Sequence, residues 1–337
     1  MIHPIWKDYF VDFGQEDKLE YRILADGEEI YHGVAQGRPN EISLKIRIND
    51  ICADYLEHSF PALVQKGFTT QGEPVTFLVQ YKYGDRWDDV DSVQFYNDWS
   101  YDYGFNPATM GMSFCPNGRI DVRQWVMYSA FNASSITATI TLRDGSHFDV
   151  IIPVEISADF NADFNSDFSK SVRATQTGTA VFNLSQWGDI EMLTIGDRVF
   201  KVVNGCNRYV LSYINAYGGW DTLLIEGNHA EVDNVVRHTR ESMYDNRSIQ
   251  NRSVHNYANE ITKTLTLHTS WMSDEESSRM HHLLNSTEVF LGDLTTGEMI
   301  PVVLTNTATE YKTYKGNGGK LVNYAIEVSF ANKRVRR

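Results

Sequence analysis

Residues 208–228 read RYVLSYINAYGGWDTLLIEGN, two runs of β-branched and aromatic residues around a Gly-Gly pair. Such runs favour strands. Gly218-Gly219 is expected to supply the positive φ angles of a tight reversal. The stretch therefore predicts a β-hairpin, and it sets the pattern by which the rest of the chain is read.

The same pattern recurs through the first half. Residues 19–24 (LEYRIL) alternate, Asp26-Gly27 turns, and residues 29–34 (EIYHGV) return. Residues 42–48 (ISLKIRI) alternate strictly, which fits a sheet with one buried and one wet face. Asp50 is placed to cap a short helix running through Cys52 to Leu56. Residues 75–83 read as a strand, 85–91 (DRWDDVD) as an acidic loop, and 95–105 (FYNDWSYDYGF) as an aromatic run. Residues 136–142 and 147–152 form a second hairpin across Asp144-Gly145. Short strands with this turn chemistry predict a β-sandwich over 19–155, preceded by an arm or edge segment over 1–18. The biased repeat ADFNADFNSDFSK marks a linker over 156–172.

The remaining domain, 173–337, begins with strands near 180–184 and 197–203. The hairpin follows, then a polar stretch over 228–259 with little apolar periodicity, expected as an extended loop, functional or disordered until it meets a partner. It carries an echo, Asn246-Arg247-Ser248 and Asn251-Arg252-Ser253. Residues 261–267 alternate as a strand. A helix is predicted over 274–284, opened by the capping box of Ser273 and Glu276 and carrying Met280, Leu283 and Leu284 on one face. Strands follow at 288–291, 299–304, 309–314 and 321–330. The sequence given ends on Lys333-Arg334-Val335-Arg336-Arg337, a basic tail on a chain of net charge −14.

That charge, with no basic stripe along any predicted element, argues against nucleic-acid binding, which needs clustered Lys and Arg. No apolar run approaches the roughly 18 residues of a membrane span. The first residues, MIHPIWKDYFVDF, lack the pattern of a signal peptide. Cys52, Cys115 and Cys206 then read as reduced structural thiols of a protein made in a cytoplasm. Aromatics make up 12% of the chain, which suits packed sheets and broad contact surfaces.

Two resemblances extend this reading. YINAYGGWDTLLIEGN (213–228) and YAIEVSFANKRVRR (324–337) resemble segments of structural proteins of tailed phages and prophages of gut Bacteroidales, including crAss-like phages. The resemblance covers residues 180–337. The first half is similar in style, through YRILADGEEIYHG and FYNDWSY. The element order over 261–330 is similar to the split β-barrel with one flanking helix of phage tail-tube, distal-tail and tail-hub proteins. These resemblances imply a mainly β protein with a ring-forming second domain. They also imply a place in the virion neck or tail after assembly in the host cytoplasm. The expected partners are further copies of the chain, as a cyclic homo-oligomer of six or twelve, and other neck or tail proteins. The family carries no catalytic residues.

The candidate interface residues are Tyr213, Tyr217, Gly218, Gly219 and Trp220 of the hairpin, Arg247 and Arg252 of the polar stretch, and Lys333, Arg334, Arg336 and Arg337 of the tail. Four places offer competing chemistry. Asp159, Asn161, Asp163, Asn165 and Asp167 alternate like calcium ligands. Phe164 stands where the calcium loop needs Gly, and Lys170 where it needs Glu, so an exposed linker is the better reading. His281 and His282 point about 100° apart on a helix and read as helix surface. Asp98 with Asp102, and Asp221 with Glu226, are spaced like glycosidase carboxylates beside Trp99, Tyr101, Tyr217 and Trp220. In a chain with 44 acidic residues such pairs are common, and Trp220 reads as a core or interface ring. No catalytic residue, metal or cofactor is expected. The alternative function is a carbohydrate-binding receptor module at the tail tip.

Overall fold

The computed structural model describes residues 2–5, 8–14, 18–37, 43–56, 60–63, 66–70, 75–96, 117–153, 176–196, 198–205, 207–241, 254–277, 279–306, 321–331 and 334–336. The fold is mainly β. The first strands are β1 (Ile2–Pro4), β2 (Phe10–Asp12), β3 (Lys18–Ala25), β4 (Glu28–Gln36), β5 (Lys45–Arg47), β6 (Lys66–Thr70), β7 (Val75–Tyr83) and β8 (Arg86–Tyr96). Next come β9 (Asn117–Asp121), β10 (Trp125–Ala133), β11 (Ser135–Leu142), β12 (His147–Pro153), β13 (Gln176–Asn183), β14 (Ile190–Ile195) and β15 (Arg198–Val203). The last are β16 (Tyr209–Ile214), β17 (Trp220–Ile225), β18 (His229–Glu241), β19 (Val254–His268), β20 (Val289–Asp293), β21 (Glu298–Leu304), β22 (Ala325–Phe330) and β23 (Arg334–Arg336). The helices are α1 (Asn49–Ala53), α2 (Asp274–Ser277) and α3 (Arg279–Leu284).

The chain forms two compact units, 1–116 with 125–199 and 215–221, and 117–124 with 200–214 and 222–337. These bounds differ from the expected break at 156–172, a stretch that lies outside the described residues. The reason is strand pairing. β13 runs antiparallel between β10 and β6, so residues beyond the expected linker still belong to the first unit.

In the first unit a five-stranded sheet runs β1-β8-β7-β3-β4. Its β3–β4 hairpin turns at Asp26 and Gly27, both with positive φ (49° and 89°), as Asp-Gly predicts. β3 alternates strictly, burying Leu19, Tyr21, Ile23 and Ala25 against Phe77, Val79, Val93 and Phe95. Residues 86–91 of the acidic stretch are strand rather than loop, because their carboxylates find hydrogen-bond partners. Asp89 accepts from Gln80 Nε2 (2.6 Å), and Asp91 from the Tyr9 hydroxyl (2.8 Å). The expected N-terminal arm is also built in. β1 pairs parallel with β8, β2 pairs with β5, and Ile5 and Val11 are buried. Buried Asn49 fixes this segment, accepting from Tyr9 N (2.7 Å) and donating to the Ile5 carbonyl. Asp50 does not cap α1. It lies in the first turn and pairs with Arg47 at 3.0 Å. Cys52 is fully buried, and burial pushes its thiol up to about 12, so it behaves as a core residue.

In the second unit the antiparallel ladders run β16–β20–β21–β22–β19–β18, with β23 also on β19. The core gathers Leu211 and Tyr213 of β16, Leu265 and Leu267 of β19, Leu291 of β20, and Ile326 and Val328 of β22. Met280 and Leu283 of α3 close it. The capping box forms as predicted: Ser273 N donates to Glu276 Oε2 (2.9 Å) and Glu276 N to Ser273 Oγ (3.2 Å).

His282 departs from its expected place on the helix surface: it is buried, while His281 is exposed. Burial, with a smaller push from His281, lowers the His282 imidazole from 6.5 to about 4. In the unfolded chain that ring takes up a proton near pH 6.5, whereas in the folded chain it stays neutral down to about pH 4. The unfolded state thus binds more protons across this window, so stability falls as pH drops from 6.5 toward 4. The expected loss from this ring is up to about 3 kcal/mol. Urea unfolding at pH 7, 6, 5 and 4.5 checks it: the wild type loses stability steadily, and His282→Gln shows a flatter slope.

Candidate functional site

The hairpin that anchors the sequence reading forms as β16 and β17, but its turn is built by Asn215 rather than by a two-glycine reversal. Asn215 N donates to the Gly219 carbonyl (2.8 Å), and Gly218 N donates to the Asn215 carbonyl (3.0 Å). The Asn215 side chain accepts from Tyr217 N (2.9 Å) and Gly219 N (3.1 Å) and donates to Asp221 Oδ2 (2.8 Å). Of the glycine pair, only Gly218 has positive φ, at 75°. The signal was legible in N-A-Y-G, an Asn opening a four-residue turn.

Tyr213, Tyr217, Gly218, Gly219 and Trp220 are all buried within one copy of the chain. Trp220 is completely covered. Its backbone N–H donates to Ser129 Oγ (2.8 Å), and its ring meets Phe60 edge-on at 5.1 Å. Ser129 and Thr179 share a hydrogen bond of 2.7 Å between neighbouring strands, a buried hydroxyl pair with no advance signal in the sequence. A side chain buried in its own chain offers no surface to a neighbour, so these five residues move from the candidate interface to the core.

The carboxylates weighed as a glycosidase pair have structural partners. Asp221 braces the turn through Asn215. Glu226 pairs with Arg119 of β9 at 3.1 Å, and Arg119 also donates to Ser270 Oγ (2.6 Å) and the Trp271 carbonyl (3.1 Å). Arg119 lines a small niche with Met272, Glu276 and Arg279 that sequence reasoning did not find. Asp98, Asp102 and the 159–167 repeat lie outside the described residues. Among the described residues no group of three or more His, Cys, Asp or Glu is placed to hold a metal ion.

Within the expected loop over 228–259, residues 229–241 and 254–259 are strands of a long ribbon, and 242–253 lie outside the described residues. β18 and β19 pair antiparallel from His229↔Leu267 to Glu241↔Val254, with a bulge at His238/Thr239. All of β18 is exposed except half-buried His238, and so is β19 from Val254 to Tyr257. Alternation is absent from the sequence because neither face of this ribbon is covered. Polar cross-strand pairs hold it: Lys263 with Glu231, His238 with Glu260 (3.3 Å), and Asn234 with Thr264 (3.0 Å). Val232, Val235, Val236 and Tyr257 nonetheless face solvent. Arg334 and Arg336 stand in β23, whose backbone pairs with Asn259–Ile261 of β19, so the tail finds a partner strand in its own chain. Arg247, Arg252, Lys333 and Arg337 lie outside the described residues.

No family model and no curated protein matches this chain.

The Asn215 side chain satisfies three buried groups. Asn215→Ala leaves them without it and is expected to cost about 2 to 4 kcal/mol. Chemical denaturation, with near-ultraviolet circular dichroism reporting the Trp220 environment, measures the loss.

Proposed function

We propose that this chain is a structural subunit of a tailed-phage particle that forms a ring in the neck or tail and acts by assembly. One observation carries the reading: among the described residues β4, β12 and β18 each end a sheet, and each bears exposed apolar side chains. They are Tyr31 and Val34 on β4, Phe148 and Ile151 on β12, and three valines on β18. A sheet end carries unpaired backbone donors and acceptors, which another strand can satisfy. Head-to-tail closure needs two different surfaces on each copy, and different strands supply them.

The resemblance of residues 180–337 to structural proteins of phages of gut Bacteroidales supports a virion setting. In this reading an N-terminal sandwich decorates or braces the ring, and a C-terminal split β-barrel with its flanking helix builds it. The partners are identical copies and other neck or tail proteins, met during assembly in the host cytoplasm.

Light scattering on the purified protein, with negative-stain images, tests the proposal. The expected result is a closed ring of six or twelve copies, formed alone or on addition of portal and tube proteins. A particle that stays monomeric in both settings overturns it.

A further inference from the structure

We propose that β18 pairs antiparallel with β18 of a second copy of this chain, across a two-fold axis at Val235. Such a contact is isologous, whereas ring closure uses heterologous contacts, so it goes beyond the ring reading and joins two copies or two rings face to face.

β18 has thirteen residues, about 43 Å of strand at 3.3 Å per residue. β19 pairs with one side of it, and among the described residues no strand pairs with the other. Native sheets normally blunt an edge of this length by shortening it, bulging it, covering it or charging it, and the charges of β18 are of both signs. Here the bulge places its extra residue, Tyr257, on β19, and β18 stays regular.

The occupant follows from charge order. The first half of β18 carries Glu231 and Asp233, and the second half carries Arg237 and Arg240. With Val235 facing its copy, Asp233 faces Arg237 of the second strand, and the two-fold axis makes that pair twice. His229 then faces Glu241, and Glu231 lies diagonal to Arg237. A parallel in-register pairing would instead set each charge against itself, which is unfavourable. Within its own ribbon Arg237 stands opposite Asn259, so no charge across that ladder matches it.

The apolar residues obey the same register. Val232 and Val236 share one face of the strand, and Val236 falls diagonal to Val232 and Val236 of the second copy. Four exposed valines thereby meet on one face, and the two copies of Val235 meet on the other.

Two measurements on the full chain test this, with wild type as the control for native cysteines. Directly opposed residues in an antiparallel pair lie about 4.5 to 5.5 Å apart at Cα, within disulfide reach. Val235→Cys should therefore give a disulfide-linked dimer under mild oxidation, and Ala230→Cys should not. Asp233→Arg and Arg237→Asp should each weaken the dimer at least about tenfold, the effect of roughly 1.4 kcal/mol. The double reversal Asp233→Arg/Arg237→Asp should restore it. Failure of Val235→Cys to cross-link, or of the double reversal to rescue, overturns the proposal. Pairing of β18 with β4, β12 or another protein would show as self-association without the Val235 cross-link, and it also overturns this register. A ring without the cross-link sinks this contact alone, whereas the cross-link without a ring sinks the ring reading alone.

Discussion

A β-strand carries hydrogen-bonding groups along both sides, and each group removed from water has to be paired. In a chain made mainly of strands, this requirement decides where nearly every segment lies. It draws β1 onto β8 and β2 onto β5, which turns an expected arm into part of a core. It holds β13 between β10 and β6, beyond the expected domain boundary. It also leaves a remainder, because open sheets have ends. The proposed function rests on that remainder.

Side-chain burial divides the molecule in a related way. Residues 209–225 are buried almost throughout, with Trp220 and Tyr213 completely covered. β18 is the opposite case, thirteen residues with no covered face. The segment that dominates the sequence by its aromatic content is thus interior, and the segment that looks featureless faces solvent. A strand dissolved on both faces is held only by its ladder and by polar cross-strand pairs such as Glu231 with Lys263. Such a segment opens at low cost unless something pairs with its free side.

Where one face of a strand is buried, the element was legible in the sequence: β3, β7, β11 and β12 alternate. β4 was legible from the Asp26-Gly27 turn, and β16–β17, buried on both faces, from two apolar runs around a turn. The Ser273–Glu276 capping box forms as written. Where polar residues line a strand, the signal fails. The run 85–91 imitates a loop because carboxylates stand on both faces of β8, Asp89 opposite Gln80 and Asp91 opposite buried Val79. The polar run 229–241 imitates a loop because both its sides are wet. His281 and His282 were read together as helix surface, although a wide buried face on α3 includes Arg279, Met280, His282 and Leu283. The hairpin residues of the candidate interface proved to be core for one reason: large aromatic residues suit cores and contacts equally, and only coordinates separate them. The edge at β18 could have been suspected from the order of its charges, acidic then basic around Val235.

Hydrogen exchange on β18 as a function of protein concentration tests the central claim most directly. Alternate amides of this strand bond to β19, and the others point away from it. If copies assemble through open edges, the outward amides between Val232 and Arg240 exchange slowly in concentrated protein and rapidly on dilution. The amides bonded to β19 should change far less. Outward amides that exchange at the same fast rate at every concentration, with the particle mass unchanged, would contradict the account.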